Sequence, residues 1–222
     1  MQTKQQVIDA LNVITGGLSN TTKMPESSFS IPAIHCKVGS KLREVEGSVC
    51  NKCYASKGHY LYPNVKNAQQ RRYLNLYHPM WVKAMTMLIH IKVKEHFRWF
   101  DSGDLDSVQH LRNIIEVCNG TPNIKHWLVT KEKRTVRKFL DDGGIIPDNL
   151  VIQMSGYMLD GDKVKGFDDC KQIAHHLVHT DRQNAQGYVC PVEDGEEFTT
   201  CDDANCYACW DRDVNVVTSG LH

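Results

Sequence analysis

The 222-residue sequence contains no run of about 18 consecutive apolar residues, which leaves no candidate for a membrane-spanning helix. Its opening, MQTKQQVIDALNVITGG, has no long apolar stretch of the kind a secretory leader requires. The expectation is a cytoplasmic protein with no membrane partner. Charge of one sign is not in excess either, since Lys+Arg and Asp+Glu both number 26. The molecule as a whole therefore offers no net field to nucleic acid, and any such binding has to rest on a local patch. Low-complexity tracts and close internal repeats are absent as well, which argues against tails and solenoids.

What is present is an ordinary globular composition, 41% hydrophobic and 23% charged, in a chain long enough to bury a substantial core. Residues 1–27 read as an amphipathic helix ended by Gly16-Gly17 and followed by a polar connection. From residue 28 to 185 the pattern turns to alternating strands and helices. SFSIPAIHC is a short extended run, PNVKNAQQRRYLNLY a helix, and Pro79 suits the first turn of another. HFRWFDSGD, IKHWLVTK, NLVIQMSG and KQIAHHLVHT read as strands, with helices at DSVQHLRNIIEVCNG and EKRTVRKFLDDGG. Repeated strand–helix units imply right-handed crossovers and a parallel sheet. The expected fold class is α/β, a partial or complete parallel (β/α) barrel, with a small C-terminal cysteine-rich metal-binding module and a final strand over 186–222. Chemistry in such folds gathers at the carboxyl ends of the strands. Cys36, the Asp101-Ser102-Gly103-Asp104 turn, Thr130-Lys131 and Ser155-Gly156 fall there.

Nine cysteines is a high count for a reducing compartment, where clustered thiols bind metal or do redox chemistry more often than they form disulfides. Cys36, Cys50 and Cys53 form one group; Cys190, Cys201, Cys206 and Cys209 form another. Cys118 keeps helical step with Leu111, Ile114 and Ile115 and reads as a core thiol. Within the first group, GSVCNKCYASKG allows a dithiol redox pair, which leaves Cys36 unexplained. It also allows zinc with His35 or His59 as fourth ligand, the reading that spacing alone favours. Three thiols beside a strand–helix repeat allow a third reading, a [4Fe–4S] cluster with one open iron.

The run CNKCYA, with a thiol upstream after a first strand and SGD after the next, resembles an atypical radical S-adenosylmethionine enzyme and the phage three-cysteine proteins with a Cys-x-x-Cys-Tyr-Ala signature. SIPAIHCKVGSKLREVEGSVCNKCYASKG, FRWFDSGDL and CYACWDRDVNVV are similar to the phage gene-product-88-like family, over most of residues 28 to 217. The first resemblance implies a [4Fe–4S] cluster on Cys36, Cys50 and Cys53, bound S-adenosylmethionine, and an external electron donor. It implies reductive cleavage to a 5′-deoxyadenosyl radical that abstracts hydrogen from a substrate, with a nucleotide or nucleic acid permissible. If the chain is phage-encoded, its compartment is the cytoplasm of the host. The same resemblance sets Ser102, Gly103 and Asp104 at the position of the turn that contacts the methionine amino group, and Ser155 near ribose or carboxylate. The plainer readings are a helix-capping Asp104 and a turn residue at Ser155. The sequence departs from the usual Cys-x3-Cys-x2-Cys spacing, because thirteen residues separate Cys36 from Cys50. Loop entropy grows slowly with length, so such a loop can close.

YVCPVEDGEEFTTCDDANCYACWD places four thiols with gaps of ten, four and two residues, a set that suits either zinc or a second [4Fe–4S] cluster. Eight acids lie between 190 and 213 against Arg212 alone. Between Lys125 and Lys138 six Lys or Arg face one acid, Glu132, a stripe that suits a phosphate backbone or the wet face of a helix. His175, His176 and His179 cannot share one face of a strand and read as packing or surface residues. The rival to the radical enzyme is accordingly a zinc-stabilised, non-catalytic binding protein for nucleic acid.

Overall fold

A computed structural model describes residues 3–167, 170, 172–192 and 197–221. Lys171, expected at the head of a strand, and Glu193, Asp194 and Glu196 of the acidic run lie outside the described residues. Helix α1 (Lys4–Thr15) starts at a capping box between Thr3 and Gln6 and stops at Gly16 in the left-handed conformation. Strands β1 (Ser19–Asn20) and β2 (Ser27–Phe29) follow, then α2 (Lys37–Leu42), α3 (Pro63–Asn75) and α4 (Trp81–Lys92). The regular alternation comes next: β3 (His96–Trp99), α5 (Val108–Gly120), β4 (Lys125–Thr130), α6 (Lys133–Asp141) and β5 (Leu150–Ser155). Strands β6 (Ile173–His179), β7 (Tyr188–Val189) and β8 (Val216–Gly220) complete the sheet. Between β5 and β6 no helix is formed by the described residues, so the strand–helix repeat lapses there.

The eight strands lie in the order β1-β2-β3-β4-β5-β6-β8-β7, all parallel except the β1–β2 pair. The sheet is not closed. Its edges are β1 and β7, so a complete barrel is not what the described chain builds. The α/β class and the parallel sheet are as the alternating pattern implies.

Strands β2 to β6 follow one another in chain order, and right-handed crossovers then put every helix on one face. The side-chain alternation agrees. Phe29, Phe97, Trp99, Leu128, Ile152 and Met154 point into one core with Trp81, Met85 and Ile89 of α4, Leu111 and Ile114 of α5, and Val136 and Phe139 of α6. Helix α1 backs α4 through Ile8, Leu11, Ala84 and Leu88. Cys118 is fully buried in the helix-side core, as its helical step implies.

The opposite face of the sheet carries Ser28, Arg98, Trp127, Gln153, His176 and Ser219, which share it by strand register. A row of hydrogen bonds crosses four strands here. Trp127 Nε1 donates to Gln153 Oε1 at 2.8 Å, His176 Nδ1 lies 3.4 Å from the same oxygen, and His176 Nε2 lies 3.1 Å from Ser219 Oγ. The C-terminal segment covers the lower part of this face. Trp210 lies edge-on to Trp127 at 5.3 Å and donates its Nε1 to the carbonyl of Phe97 at 2.9 Å, while Tyr207 stacks on His96 at 4.4 Å. No described helix is long and apolar enough to cross a membrane.

Trp210 is the plug of that face and is 5% exposed. Trp210→Ala is expected to cost about 3–5 kcal/mol of unfolding free energy by urea titration, because a buried aromatic is removed and a cavity left. Val13→Ala, at a side chain that is 78% exposed, should stay within about 0.5 kcal/mol in the same measurement.

Candidate functional site

The first three thiols lie in the connection between β2 and α3, which passes over the carboxyl ends of the strands. Cys36 precedes α2, and Cys53 precedes a short 3-10 turn, Tyr54–Ser56. What brings the thiols together is Gly39 on α2. A Cβ there would stand 3.1 Å from Cys36 Cβ, 3.5 Å from Cys50 Sγ and 3.8 Å from Cys36 Sγ. Two thiols therefore converge on one point that any larger residue would fill. Cys53 is close enough that its charge acts on both Cys36 and Cys50.

Three ties pin this long connection to the sheet. Tyr54 donates its hydroxyl to the carbonyl of Asp101 at 2.5 Å, at the end of β3. Glu132 Oε1, just past β4, accepts from the backbone N–H of Val38 at 2.8 Å. Beyond β5, the N–H of Val49 donates to Tyr157 O at 3.0 Å and that of Leu159 to Gly47 O at 2.9 Å. Tyr54, Tyr60 and Glu132 carry no metal-site signature, and sequence reasoning missed them as site residues. The signal for Tyr54 was its fixed place after Cys53.

The FDSGD turn closes the other side. Phe100 takes a positive φ of 64°, a conformation that a bulky residue holds only under constraint. Gly103 has φ 84°, and a Cβ on it would lie 2.3 Å from Ile31 Cγ1 and 2.6 Å from the Ile31 carbonyl, so glycine is required twice over. Ser102 Oγ donates to the Ile31 carbonyl at 3.2 Å. Asp101 is buried, accepting from Ser28 Oγ at 2.7 Å and from Tyr60 at 3.2 Å.

Asp104 does not cap the next helix. Ser107 is the N-cap of α5, accepting from the N–H of His110. Asp104 instead joins the ends of two strands. Its Oδ1 accepts from the N–H of Leu105 at 2.7 Å and from Thr130 Oγ1 at 2.5 Å, and its Oδ2 accepts from the N–H of Lys131 at 2.9 Å. A carboxylate has about four lone-pair sites, so Oδ2 keeps capacity for one more donor. Burial raises its pKa to about 6, against the lowering by Thr130, Lys131 and Leu105.

Lys131, placed by the sequence at a strand end but given no role there, turns inward. It is 8% exposed and its Nζ donates to Ser155 Oγ, at the end of β5. Among the described residues no carboxylate stands within ion-pair distance of it. Burial lowers its pKa, while Cys50, Asp104, Cys53 and Cys36 act the other way. The thiols answer in kind. Burial pushes Cys36 far up, with Asp104, Cys53 and Cys50 adding to it, and burial raises Cys50 while Lys131 opposes. The structure thus brings Cys36, Cys50, Cys53, Asp104, Lys131 and Ser155 to one end of the sheet.

Cys190, Cys201, Cys206 and Cys209 form a separate gathering. Cys190 extends β7 and donates its N–H to Thr218 O at 2.8 Å; the N–H of Cys206 donates to Cys201 O at 3.0 Å. Cys201 and Cys209 pack with Trp127 and Trp210. Burial raises Cys209 well above the ordinary thiol value, with the charges of Cys190, Cys201 and Cys206 acting the same way and Arg98 opposing. Among the described residues no three His, Cys, Asp or Glu side chains stand in the geometry of an ion-coordination group.

The basic stripe does not form one face. Lys131 and Glu132 turn inward, Val136 and Phe139 are buried, and Arg137 and Lys138 pair with Asp141 and Asp142 at 3.1 and 3.0 Å. It reads as the wet side of α6. A family model described as Gene product 88 matches residues 3–218. No curated protein and no solved structure matches the chain significantly.

A carboxyl group raised from 3.8 to about 6 takes up a proton more readily folded than unfolded. Its contribution is therefore most favourable at low pH and declines as pH rises through that window. Asp104→Asn removes the titration. The stability advantage of the wild type over this variant is expected to grow by about 2 kcal/mol between pH 7 and pH 4, measured by denaturant titration at each pH. A constant difference across that range would refute the assignment.

Proposed function

The chain belongs to the gene product 88 family, and from the site that its fold assembles we propose that it is an iron–sulfur enzyme of the radical S-adenosylmethionine type. The observation that carries this reading is the convergence of Cys36 and Cys50 at Gly39, with Cys53 three residues further along the same loop, beside Asp104, Lys131 and Ser155 at the carboxyl ends of successive parallel strands. The other thiols are committed elsewhere: Cys118 and Cys170 to the helix-side core, the remaining four to the C-terminal segment. The sheet supports the reading too, because strands in chain order with helices on one face are the ingredients of a partial barrel.

The donor set fits a [4Fe–4S] cluster. Three thiols are present, two of them close around Gly39, and buried Lys131 supplies positive charge beside them. Held by Cys36, Cys50 and Cys53, such a cluster would supply the one-electron reductive cleavage of S-adenosylmethionine to methionine and a hydrogen-abstracting 5′-deoxyadenosyl radical, the electron coming from an external donor. The remaining work belongs to the chain. Asp104 Oδ2 accepts from the methionine amino group with its last lone pair, and Gly103 lets the strand end approach closely. Lys131 and the hydroxyl of Ser155 hold the carboxylate. The amide of Gln153, whose Nε2 has no hydrogen-bond partner, faces the polar side of the sheet below. It suits a substrate rich in acceptor atoms, such as a nucleotide. The tyrosine latch at Asp101 keeps the thiol loop closed over the site and water outside it.

The test is anaerobic reconstitution with iron and sulfide, EPR of the dithionite-reduced protein before and after S-adenosylmethionine, and assay of 5′-deoxyadenosine. A [4Fe–4S]⁺ signal perturbed by S-adenosylmethionine is expected, with cleavage abolished in Cys50→Ala and in Cys53→Ala. Gly39→Ala should lower iron occupancy while the protein stays folded. Undiminished cleavage in both cysteine variants, or zinc in place of iron at these thiols, would overturn the proposal.

A further inference from the structure

We propose that Cys190, Cys201, Cys206 and Cys209 form a closed tetrathiolate zinc site, counter-charged by Arg98, that clasps the C-terminal segment onto the open face of the sheet. The proposal is independent of the chemistry assigned to the first three thiols.

The covering of that face poses the problem. From 190 to 215 the described chain has one 3-10 turn, Ala208–Trp210, and no ladder of its own. It nevertheless seats Trp210 against Trp127 and Tyr207 against His96. Its described backbone bonds are mostly local turns, with Cys190 and Cys201 tied outward to Thr218 and Lys23, and a cross-link among its thiols would hold these turns in one register. Two of its four thiols, Cys201 and Cys209, pack on the same tryptophans, the N–H of Cys206 donates to the Cys201 carbonyl at 3.0 Å, and the hydroxyl of Tyr188, two residues before Cys190, lies 3.3 Å from Cys206 Sγ.

Arg98 is the second and separate observation. It projects from the middle of β3 onto the same face, its guanidinium 4.5 Å over the Trp127 ring. Its hydrogen bonds are long: 3.5 Å to Tyr54, 3.4 Å to the Phe100 carbonyl and 3.6 Å to Met24 sulfur. Its Nε is buried with no partner, and among the described residues no carboxylate forms an ion pair with it. A guanidinium placed this way is costly unless an anion faces it. The Trp127 ring beneath it is the one against which Cys201 and Cys209 pack. Four thiolates around one divalent ion carry two net negative charges, which would add a second anion to the Asp101 carboxylate that already acts on Arg98. The described thiols do not stand at coordination geometry, so closure takes side-chain rotation and loss of their protons as the ion enters. Cys206 lines an open cleft of about 570 Å³ with Tyr188, Tyr207 and Trp210, which gives the ion a path from solvent. Four thiolates leave no open position, so the role is structural.

The experiment measures zinc, iron and sulfide in full-length protein purified anaerobically, for the wild type, Cys206→Ser/Cys209→Ser and Cys50→Ser/Cys53→Ser. One zinc per chain is expected in the wild type and in the Cys50/Cys53 variant, and none in the Cys206/Cys209 variant. Should that variant fail to fold, cobalt(II) substitution of the wild type decides. A sulfur-to-cobalt charge-transfer band with tetrahedral d–d bands is expected, insensitive to loss of Cys50 and Cys53. Arg98→Met should weaken zinc retention against a chelator by about 10–100-fold, the range for partners behind a metal's ligands. Iron and sulfide at the C-terminal thiols, zinc retained without Cys206 and Cys209, or no tetrathiolate cobalt spectrum would each overturn the assignment.

Discussion

A parallel sheet whose strands follow one another in chain order receives its helices on one side only, and the other side has to be covered by something else. That constraint organises this protein. Helices α4, α5 and α6 bury the Phe97, Trp99, Leu128 and Ile152 side. The Arg98, Trp127, Gln153 and His176 side is left polar and is finished from its lower end by Trp210 and Tyr207. At its upper end the long connection after β2 is drawn over the strand ends by Tyr54, Glu132 and Val49. Both groups of cysteines sit in these two irregular covers, and neither lies within the regular frame.

Charge follows the same division. Lys131 and Arg98 are the cations turned inward on that side, and neither has a carboxylate within ion-pair reach among the described residues. Lys131 lies in the field of Cys50, Asp104, Cys53 and Cys36, and Arg98 in that of Asp101 and Cys209. A buried cation without an anion is unfavourable, and so are several buried thiolates without a cation. Burial raises Cys36, Cys50, Cys201 and Cys209, so in the bare chain the balance tips toward neutral thiols. Binding of a metal group would convert each set to anions and satisfy the cation already in place, which couples occupancy to folding at both ends of the sheet.

The sequence made the frame legible because hydrophobic periodicity depends on neighbours a few residues apart. IKHWLVTK, NLVIQMSG and HFRWF alternate or run apolar at strand length, and DSVQHLRNIIEVCNG keeps helical step, so β3, β4, β5 and α5 lie where the pattern puts them. Closure of the sheet was not legible, since it depends on whether the two edges meet and no local pattern encodes that. The cysteines announced themselves by type and spacing. Lys131, Glu132 and Arg98 did not, because a charged residue at a strand end or within a strand looks the same whether it points to water or to a thiol. The stripe between Lys125 and Lys138 shows the cost of reading it as one feature: its first inward members belong to the site and its last to the wet face of α6. Of the two readings of Asp104, the structure sets aside the helix cap, because the nearer Ser107 caps α5 and the carboxylate joins β3 to β4.

The thirteen-residue gap between Cys36 and Cys50 weakens any argument from spacing, but the structure replaces spacing with anchorage. A flexible loop of that length would leave its thiols poorly placed, since the entropy of ordering it has to be met by contacts. Here the contacts are enumerable. Helix α2 is tied at its start to Glu132, Ser48 bridges to Met158, Val49 bonds to Tyr157, and Tyr54 fastens the Cys53 end to Asp101. The anchors come from beyond the ends of three strands, β3, β4 and β5, so the position of the thiols is fixed by the sheet and not by the length of the chain between them. A shorter loop would gain little in precision. The longer one carries Gly39, whose missing side chain lets Cys36 and Cys50 approach the same point of α2.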